Sequence, residues 1–249
     1  MKPNQKINQH FIININGVDY LYVYIRKNAC SAWKRMFVAE SIHQEAVDKN
    51  LRPIEFMNKF HRASTIGEVM AVENRIVILR DPLVRVYSAF INQIVMRMER
   101  QYALHKAVQK ACSKPIGKVT FEEFVNEYIL KMDPHQLDGH FQPQNFALLP
   151  IDYKNTWELG KLHSEVEALI GKSFADRYFL KKVNSTEKMK KIKMDCNGLT
   201  IRQIFNQWNN REVFPDFESL INSECREKLL KFYSDDIKLL ENHKIQYVR

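Results

Sequence analysis

Tyr20-Leu-Tyr-Val-Tyr-Ile25, followed by Arg26-Lys-Asn-Ala-Cys-Ser-Ala-Trp-Lys-Arg35, carries the strongest structural signal of this sequence. The apolar and aromatic run predicts a strand, and a helix of roughly 31–44 follows a short polar turn. A strand–turn–helix unit of this kind directs several backbone N–H groups, together with Lys27, toward one point that suits an anion. The turn resembles a nucleotide-phosphate loop, although it lacks the glycines of the common versions.

A second strand of the same kind lies further along the chain. Arg75-Ile-Val-Ile-Leu79 is a continuous β-branched run, which is typical of a buried parallel strand. It ends in Arg80-Asp-Pro82, and the proline is well placed as the first residue of a helix. Ligands of open α/β sheets bind beyond the carboxyl ends of the strands, so one ligand could contact both motifs.

The remaining pattern predicts a single α/β domain. Asn16-Gly17 separates two alternating segments and is a strong hairpin signal. Thr120-Phe-Glu-Glu123 is a capping box that opens a helix, and Asn222 opens another that is expected to run to Asn242. Phe179–Val183 reads as a strand. The alternation of strands and helices predicts a central, mostly parallel sheet flanked by helices.

Composition and charge limit the class of protein. The chain has 249 residues with 38 basic and 29 acidic side chains, a net charge of +9 that suits a polyanionic partner. No apolar run is long enough for a secretory signal or a membrane span. The four cysteines are widely spaced, as expected for free thiols in a reducing compartment. We therefore expect a cytoplasmic protein without a transmembrane segment.

The two strand-end motifs offer separate sites for two phosphate groups. The first motif offers loop amides, a helix N-terminus and Lys27. The second offers the guanidinium of Arg80 and the hydroxyl of Ser88. A nucleoside that carries two separated phosphates fits this layout.

Both motifs resemble those of the sulfotransferases that use 3′-phosphoadenosine 5′-phosphosulfate (PAPS), and the likeness is to the carbohydrate sulfotransferase branch. Lys27, Cys30-Ser31 and Trp33-Lys-Arg35 match its loop for the 5′ side of the donor, with Arg26 and Ala29 in place of the usual proline and glycine. Arg80-Asp-Pro-Leu-Val-Arg-Val-Tyr-Ser-Ala-Phe90 matches its 3′-phosphate motif at every defined position. A weaker echo follows, because His140-Phe-Gln-Pro-Gln144 is similar to a His-Trp-x-Pro-Gln segment of the family.

The resemblance implies a P-loop-like sulfotransferase fold over residues 1–249, with a donor-site core at about 18–100 and an acceptor-side and C-terminal helical part at about 101–249. It implies an O-sulfotransferase that uses PAPS, releases 3′,5′-diphosphoadenosine and acts on a glycan or glycolipid hydroxyl. The residues expected to bind the donor are Lys27, Asn28, Ala29, Cys30, Ser31, Ala32, Trp33, Arg80, Ser88, Lys182, Asn184 and Ser185. Of these, the side chain of Trp33 fits a core position better than an adenine platform.

The resemblance also implies an in-line displacement, for which the residues supply suitable chemistry. Lys27 would stabilise the negative charge that grows on the leaving oxygen. A neutral imidazole suits the role of general base, with His140 the first candidate and His61 the second. Lysine, arginine and backbone amides can carry the charge, so no metal is expected, and the Asp and His residues of 133–140 match no strong metal-site spacing.

Two alternative functions stay open at this point. A P-loop kinase or NTPase would place its lysine after a second glycine and would need a magnesium-binding acid, whereas Lys27 comes before the turn. A nucleic-acid-binding protein would suit the net charge, but the basic residues are dispersed and no RNA- or DNA-binding motif appears, so no nucleic-acid partner is expected.

Overall fold

The computed structural model describes residues 6–46, 51–100, 102–181, 190–193, 196 and 198–248. Its strands are β1 (His10–Ile15), β2 (Val18–Val23), β3 (Asn74–Leu79), β4 (Asn155–Glu158), β5 (Lys190–Ile192) and β6 (Val213–Pro215). Its α-helices are α1 (Cys30–Glu40), α2 (Pro53–Phe60), α3 (Ile66–Ala71), α4 (Pro82–Ala89), α5 (Ala103–Cys112), α6 (Phe121–Glu123), α7 (Leu162–Leu169), α8 (Lys172–Tyr178), α9 (Ile201–Arg211), α10 (Phe217–Leu220), α11 (Ser223–Phe232) and α12 (Ser234–Asn242).

The chain divides into two compact units that are interleaved in sequence. The first unit comprises the described residues within 1–80, 144–184 and 242–245, and the second comprises those within 81–143, 185–241 and 246–249. That the whole chain forms one sulfotransferase domain stays a prediction.

The first unit is built on a sheet with the strand order β1-β2-β3-β4. β1 and β2 pair antiparallel, whereas β2–β3 and β3–β4 pair parallel. The hairpin turns at Asn16 and Gly17, whose φ angles of 53° and 84° are those of a tight primed turn. The mixed α/β architecture with a central, mostly parallel sheet confirms the predicted fold class.

The core of the first unit lies between the sheet and α1. Tyr22 of β2 stacks on Trp33 of α1, with ring centroids 4.5 Å apart and an angle of 8° between the planes. The ring of Phe179 also packs against Trp33, with ring centroids 5.0 Å apart. All three side chains are buried, which places the start of α1 on a rigid base.

The second unit has a large apolar core of its own. Phe90, Phe124 and Phe141 are fully buried in it, and the ring of Phe124 contacts the rings of the other two. α4 and α6 each continue into a π-helical turn, Phe90–Val95 and Phe124–Ile129 respectively. β5 and β6 form a short parallel pair in this unit.

Two predicted elements differ from the structure. The strand predicted at Phe179–Val183 was wrong for its described part, because Phe179 ends helix α8 and its ring fills the core against Trp33. The helix predicted from Asn222 to Asn242 is interrupted at Tyr233, which separates α11 from α12. Tyr233 is fully buried and donates a hydrogen bond to the carbonyl of Phe141, so a tertiary contact fixes this break.

Candidate active site

The lysine turn lies between β2 and α1 in the first unit. Lys27 and Ala29 both have left-handed backbones, with φ angles of 73° and 57°. Ala29 is the N-cap of α1, yet no side chain caps this end and no acidic residue lies in the first turn. The first amides of a helix have no partner within the helix, and the dipole favours negative charge there. This end of α1 is therefore suited to an anionic ligand.

The residues at the start of α1 differ in how far they are exposed. Cys30 and Ser31 are partly exposed, while Ala32 is buried. Trp33 has no exposed surface, and its indole packs against the rings of Tyr22 and Phe179. The indole is a core group, as the sequence favoured, and a contact between Trp33 and the donor stays a prediction.

Asn28 anchors the middle of the turn. Its side chain is 1% exposed and donates from Nδ2 to the carbonyl of Ile78 at 2.8 Å and to Oε1 of Gln144 at 2.6 Å. Ile78 lies near the carboxyl end of β3. The turn is thereby tied to the strand end from which Arg80 follows.

Arg80 lies beside the lysine turn, as the two motifs predicted. Its side chain is partly buried, and Nη1 is 3.5 Å from the carbonyl oxygen of Lys27. Its backbone N–H donates to Oε1 of Gln144 at 3.1 Å, and its carbonyl accepts from Nε2 of Gln144 at 2.8 Å. The first unit thus brings together Lys27, Asn28 and Arg80 on one scaffold.

His140 belongs to the second unit and forms a pair with Asp138. Nδ1 of the imidazole lies 2.6 Å from Oδ1 of Asp138, which also accepts from the backbone N–H of His140 at 2.9 Å. A carboxylate only accepts, so the contact requires a proton on Nδ1, and in the neutral ring the lone pair is then on Nε2. Both side chains are partly exposed, at 21% and 28%. This is the arrangement of an oriented imidazole base.

Buried groups hold the loop that carries His140. The side chain of Arg85 is 1% exposed and donates to the carbonyls of Gln142 (2.8 Å) and Gly139 (3.3 Å). Tyr233 donates to the carbonyl of Phe141 at 2.5 Å. Carbonyl groups on both sides of His140 are therefore fixed from the core of the second unit.

His61 lies in the first unit and is bonded at both ring nitrogens. Nδ1 donates to the carbonyl of Ile12 at 2.8 Å, and Nε2 accepts from the hydroxyl of Ser41 at 2.9 Å. Its residue is 9% exposed, and burial lowers the pKa of the imidazole. These bonds favour a structural role over that of a base.

Ser88 lies in α4 of the second unit and is 3% exposed. Its contact with a phosphate stays a prediction. Lys182, Asn184 and Ser185 lie outside the described residues, and their predicted contacts with the donor stay predictions as well. Within the residues that the structure describes, no group of three or more His, Cys, Asp or Glu side chains is arranged to hold a metal ion.

A comparison with family models matches residues 9–242 to the model described as "Sulfotransferase family". The chain belongs to the sulfotransferase family. The match extends far beyond the two strand-end motifs and confirms the resemblance on which the sequence reasoning relied.

Two curated sulfotransferases are similar to this chain. Carbohydrate sulfotransferase 14 of Danio rerio is 26% identical over 188 residues, which cover 65% of this chain and 47% of that protein. Carbohydrate sulfotransferase 12 of Mus musculus is 28% identical over 168 residues, which cover 53% of this chain and 39% of that protein. The chain therefore spans less than half the length of these relatives. No solved structure gives a significant match.

Gln144 is the site residue for which sequence reasoning gave no role. The Pro143-Gln144 pair matched a weak family signature, and that was the only signal for it. The structure gives this amide three hydrogen bonds to the two motifs that define the family. Finally, within the described part of this sulfotransferase no helix is both long and apolar enough to cross a membrane.

Proposed function

We propose that this chain transfers a sulfuryl group from PAPS to a hydroxyl of a carbohydrate. The observation that carries the proposal is the uncapped, acid-free start of α1 behind the turn of Lys27, with Arg80 beside it. An anionic donor fits that end of the helix on electrostatic grounds. The names of the curated relatives support a carbohydrate as acceptor, and we propose a hydroxyl of a glycan or glycolipid.

The reaction is an in-line displacement at sulfur. The acceptor oxygen forms a bond to sulfur while the bond from sulfur to the 5′-phosphate oxygen breaks, and 3′,5′-diphosphoadenosine leaves. Lys27 and the first amides of α1 stabilise the charge that develops on the leaving oxygen. Arg80 binds the 3′-phosphate through its guanidinium.

His140 takes the proton of the acceptor hydroxyl. Asp138 holds Nδ1 protonated, leaves the lone pair on Nε2 and stabilises the imidazolium that forms. The roles of Ser88 as a second contact to the 3′-phosphate and of Lys182, Asn184 and Ser185 as donor contacts come from the family resemblance alone. A cytoplasmic location likewise stays a prediction.

A thermal shift series tests the donor. We expect 3′,5′-diphosphoadenosine to raise the melting temperature, because a ligand at 100 times its Kd stabilises the folded state by about 2.7 kcal/mol. ATP with magnesium and a random oligonucleotide are the matched arms for the alternative functions. Stabilisation by either of these, with none by 3′,5′-diphosphoadenosine, would overturn the proposal.

Lys27→Ala tests the catalytic role within the same site. We expect the transfer rate, measured with labelled PAPS and a panel of polysaccharides, to fall by about 10²-fold or more while the melting temperature stays within a few degrees. Lys59→Ala is the control, since Lys59 is an exposed lysine of α2 and the change removes the same charge. Retained turnover in Lys27→Ala would remove Lys27 from the mechanism.

A further inference from the structure

Gln144 is a buried amide that makes three hydrogen bonds to the two donor motifs. Its residue is 1% exposed and begins the short 3₁₀ turn Gln144–Ala147. The orientation of the amide is fixed by its partners, because the backbone N–H of Arg80 can only donate and the carbonyl of Arg80 can only accept. Oε1 therefore faces the N–H and Nε2 faces the carbonyl.

The amide of Gln144 pairs with Arg80 as a neighbouring strand would. β3 ends at Leu79, whose partner in β4 is Glu158, so Arg80 is the first residue beyond the ladder. Its N–H and carbonyl both bond to the same side-chain amide, at 3.1 Å and 2.8 Å. These two bonds restrict the backbone of Arg80 and so fix the point from which its guanidinium extends.

The same amide oxygen also holds the lysine turn. Oε1 of Gln144 accepts from Nδ2 of Asn28 at 2.6 Å, and Asn28 lies between the two left-handed residues Lys27 and Ala29. The side-chain amide of Asn28 donates its second N–H to the carbonyl of Ile78. One oxygen is thus shared by the residue at the centre of the turn and by the backbone of Arg80.

We propose that Gln144 is the positioning residue that holds the lysine turn and Arg80 in register for the two phosphate groups of the donor. The inference rests on the proposed function, since it concerns the same donor. Gln144 acts through Asn28 and through the backbone of Arg80. Its loss therefore weakens binding at both phosphates, whereas loss of the Arg80 side chain weakens binding at one.

Three nucleotides separate these two contributions. 3′,5′-Diphosphoadenosine carries both phosphates, adenosine 5′-monophosphate lacks the 3′-phosphate, and adenosine 3′-monophosphate lacks the 5′-phosphate. The ratio of the Kd of adenosine 5′-monophosphate to that of 3′,5′-diphosphoadenosine, here the 3′ ratio, measures what the 3′-phosphate contributes to binding. The ratio of the Kd of adenosine 3′-monophosphate to that of 3′,5′-diphosphoadenosine, here the 5′ ratio, measures what the 5′-phosphate contributes to binding. A variant that merely lowers stability leaves both ratios unchanged.

The test is isothermal titration of these nucleotides into the wild-type chain and its Gln144→Met variant. We expect the variant to bind 3′,5′-diphosphoadenosine at least tenfold more weakly and both Kd ratios to shrink. Arg80→Ala should shrink the 3′ ratio alone. Gln93→Met is the matched control, because Gln93 is also a buried glutamine and its amide donates to Asn92, so both ratios should stay as in the wild type.

Gln144→Glu provides a second variant that keeps the shape of the side chain. When protonated, its carboxyl group accepts from Asn28 and from the Arg80 N–H and donates to the Arg80 carbonyl, as the amide does. When ionised, it loses that donor. We expect its affinity for 3′,5′-diphosphoadenosine, relative to the wild type at the same pH, to recover as the pH is lowered from 8 to 5.

The outcomes separate the two proposals. A wild-type chain that does not bind 3′,5′-diphosphoadenosine would overturn the proposed function. A wild-type chain that binds it, with a Gln144→Met variant that keeps both ratios, would overturn the role of Gln144 alone. If Gln144→Met does not fold, a Gln144→Glu variant with wild-type affinity at every pH leads to the same conclusion.

Discussion

His140 and Asp138 form a histidine–carboxylate pair in the 130–150 loop, and His140 belongs to the segment that is similar to the family pattern. The bond of Nδ1 to Asp138 sets the tautomer, and the loop carbonyls around the ring are held by buried donors. An imidazole that is oriented in this way accepts a proton at Nε2 without reorganisation. The proposed role of general base therefore depends on both His140 and Asp138.

Replacing either member of this pair should reduce turnover more than donor affinity. We expect His140→Ala to lower the transfer rate by about 10²-fold or more, and Asp138→Asn to lower it as well because the amide no longer requires the Nδ1–H tautomer. The Kd for 3′,5′-diphosphoadenosine should change little. His135→Ala is the control on the same loop, since His135 is exposed. Unchanged rates in His140→Ala would assign the base to another residue.

At the residue scale, sequence reasoning named the candidate reactive groups but gave no role to Gln144, the buried amide that bonds to both motifs. Lys27 and Arg80 could be identified from the sequence because each belongs to a short motif. The bond between Asn28 and Gln144 joins residues 116 positions apart, and no local pattern encodes such a pair. The burial of Trp33 was anticipated from its chemistry, because a large indole next to a strand–helix turn belongs to the core.

At the element scale, the turn before α1 carries backbone strain. Left-handed geometry costs an L-residue about 1–2 kcal/mol, and Ala29 has neither a glycine's freedom nor a side chain that bonds locally. The sequence indicated Ala29, together with Arg26, as a departure from the family pattern. The structure keeps the left-handed geometry there despite the alanine, and the strain lies next to the proposed site of the 5′-phosphate.

Ala29→Gly should therefore stabilise the chain. Relief of the left-handed strain exceeds the extra flexibility of glycine in the unfolded state, and we expect a gain of about 0.5–1 kcal/mol in the free energy of unfolding by urea. Ala39→Gly is the matched control, because Ala39 lies within α1 and the same change there should cost about 1 kcal/mol. If both variants lose the same free energy of unfolding, Ala29 does not carry left-handed strain.

Elements with local signals were predicted well, and those set by distant contacts were not. Asn16-Gly17 fixed the hairpin, and Thr120 and Glu123 form the predicted capping box. Phe179 was misassigned because an apolar run of a few residues fits a strand and a helix end equally well. The break at Tyr233 depends on its bond to Phe141, which lies far away in sequence.

At the scale of the whole molecule, buried neutral histidines link stability to pH. His10 is fully buried, donates from Nδ1 to the carbonyl of Lys6 and accepts at Nε2 from the hydroxyl of Tyr153. Burial lowers its pKa from 6.5 to about 4. Burial also lowers the pKa values of His61 and His105.

Acid should begin to destabilise this chain near pH 6.5, before its carboxylates titrate. Between pH 6.5 and 4 the unfolded state protonates His10 and the folded state does not, so stability is full above pH 6.5 and falls as the pH is lowered. A shift of this size corresponds to about 3 kcal/mol. Urea unfolding from pH 7 to 4 measures the slope, and His10→Gln should flatten it. If His10→Gln has the same slope as the wild type, the pH dependence does not come from His10.

The long separation between the lysine turn and Gln144 has a consequence for synthesis. The turn, α1 and β3 leave the ribosome first, while Gln144 and β4 emerge only after the whole segment 81–143 has been made. Until then the backbone of Arg80 lacks its two hydrogen bonds to Gln144, and β3 lacks its neighbour β4. A nascent chain arrested before residue 144 should therefore fail to retain 3′,5′-diphosphoadenosine on a nucleotide resin, so that affinity for the donor is acquired late in translation.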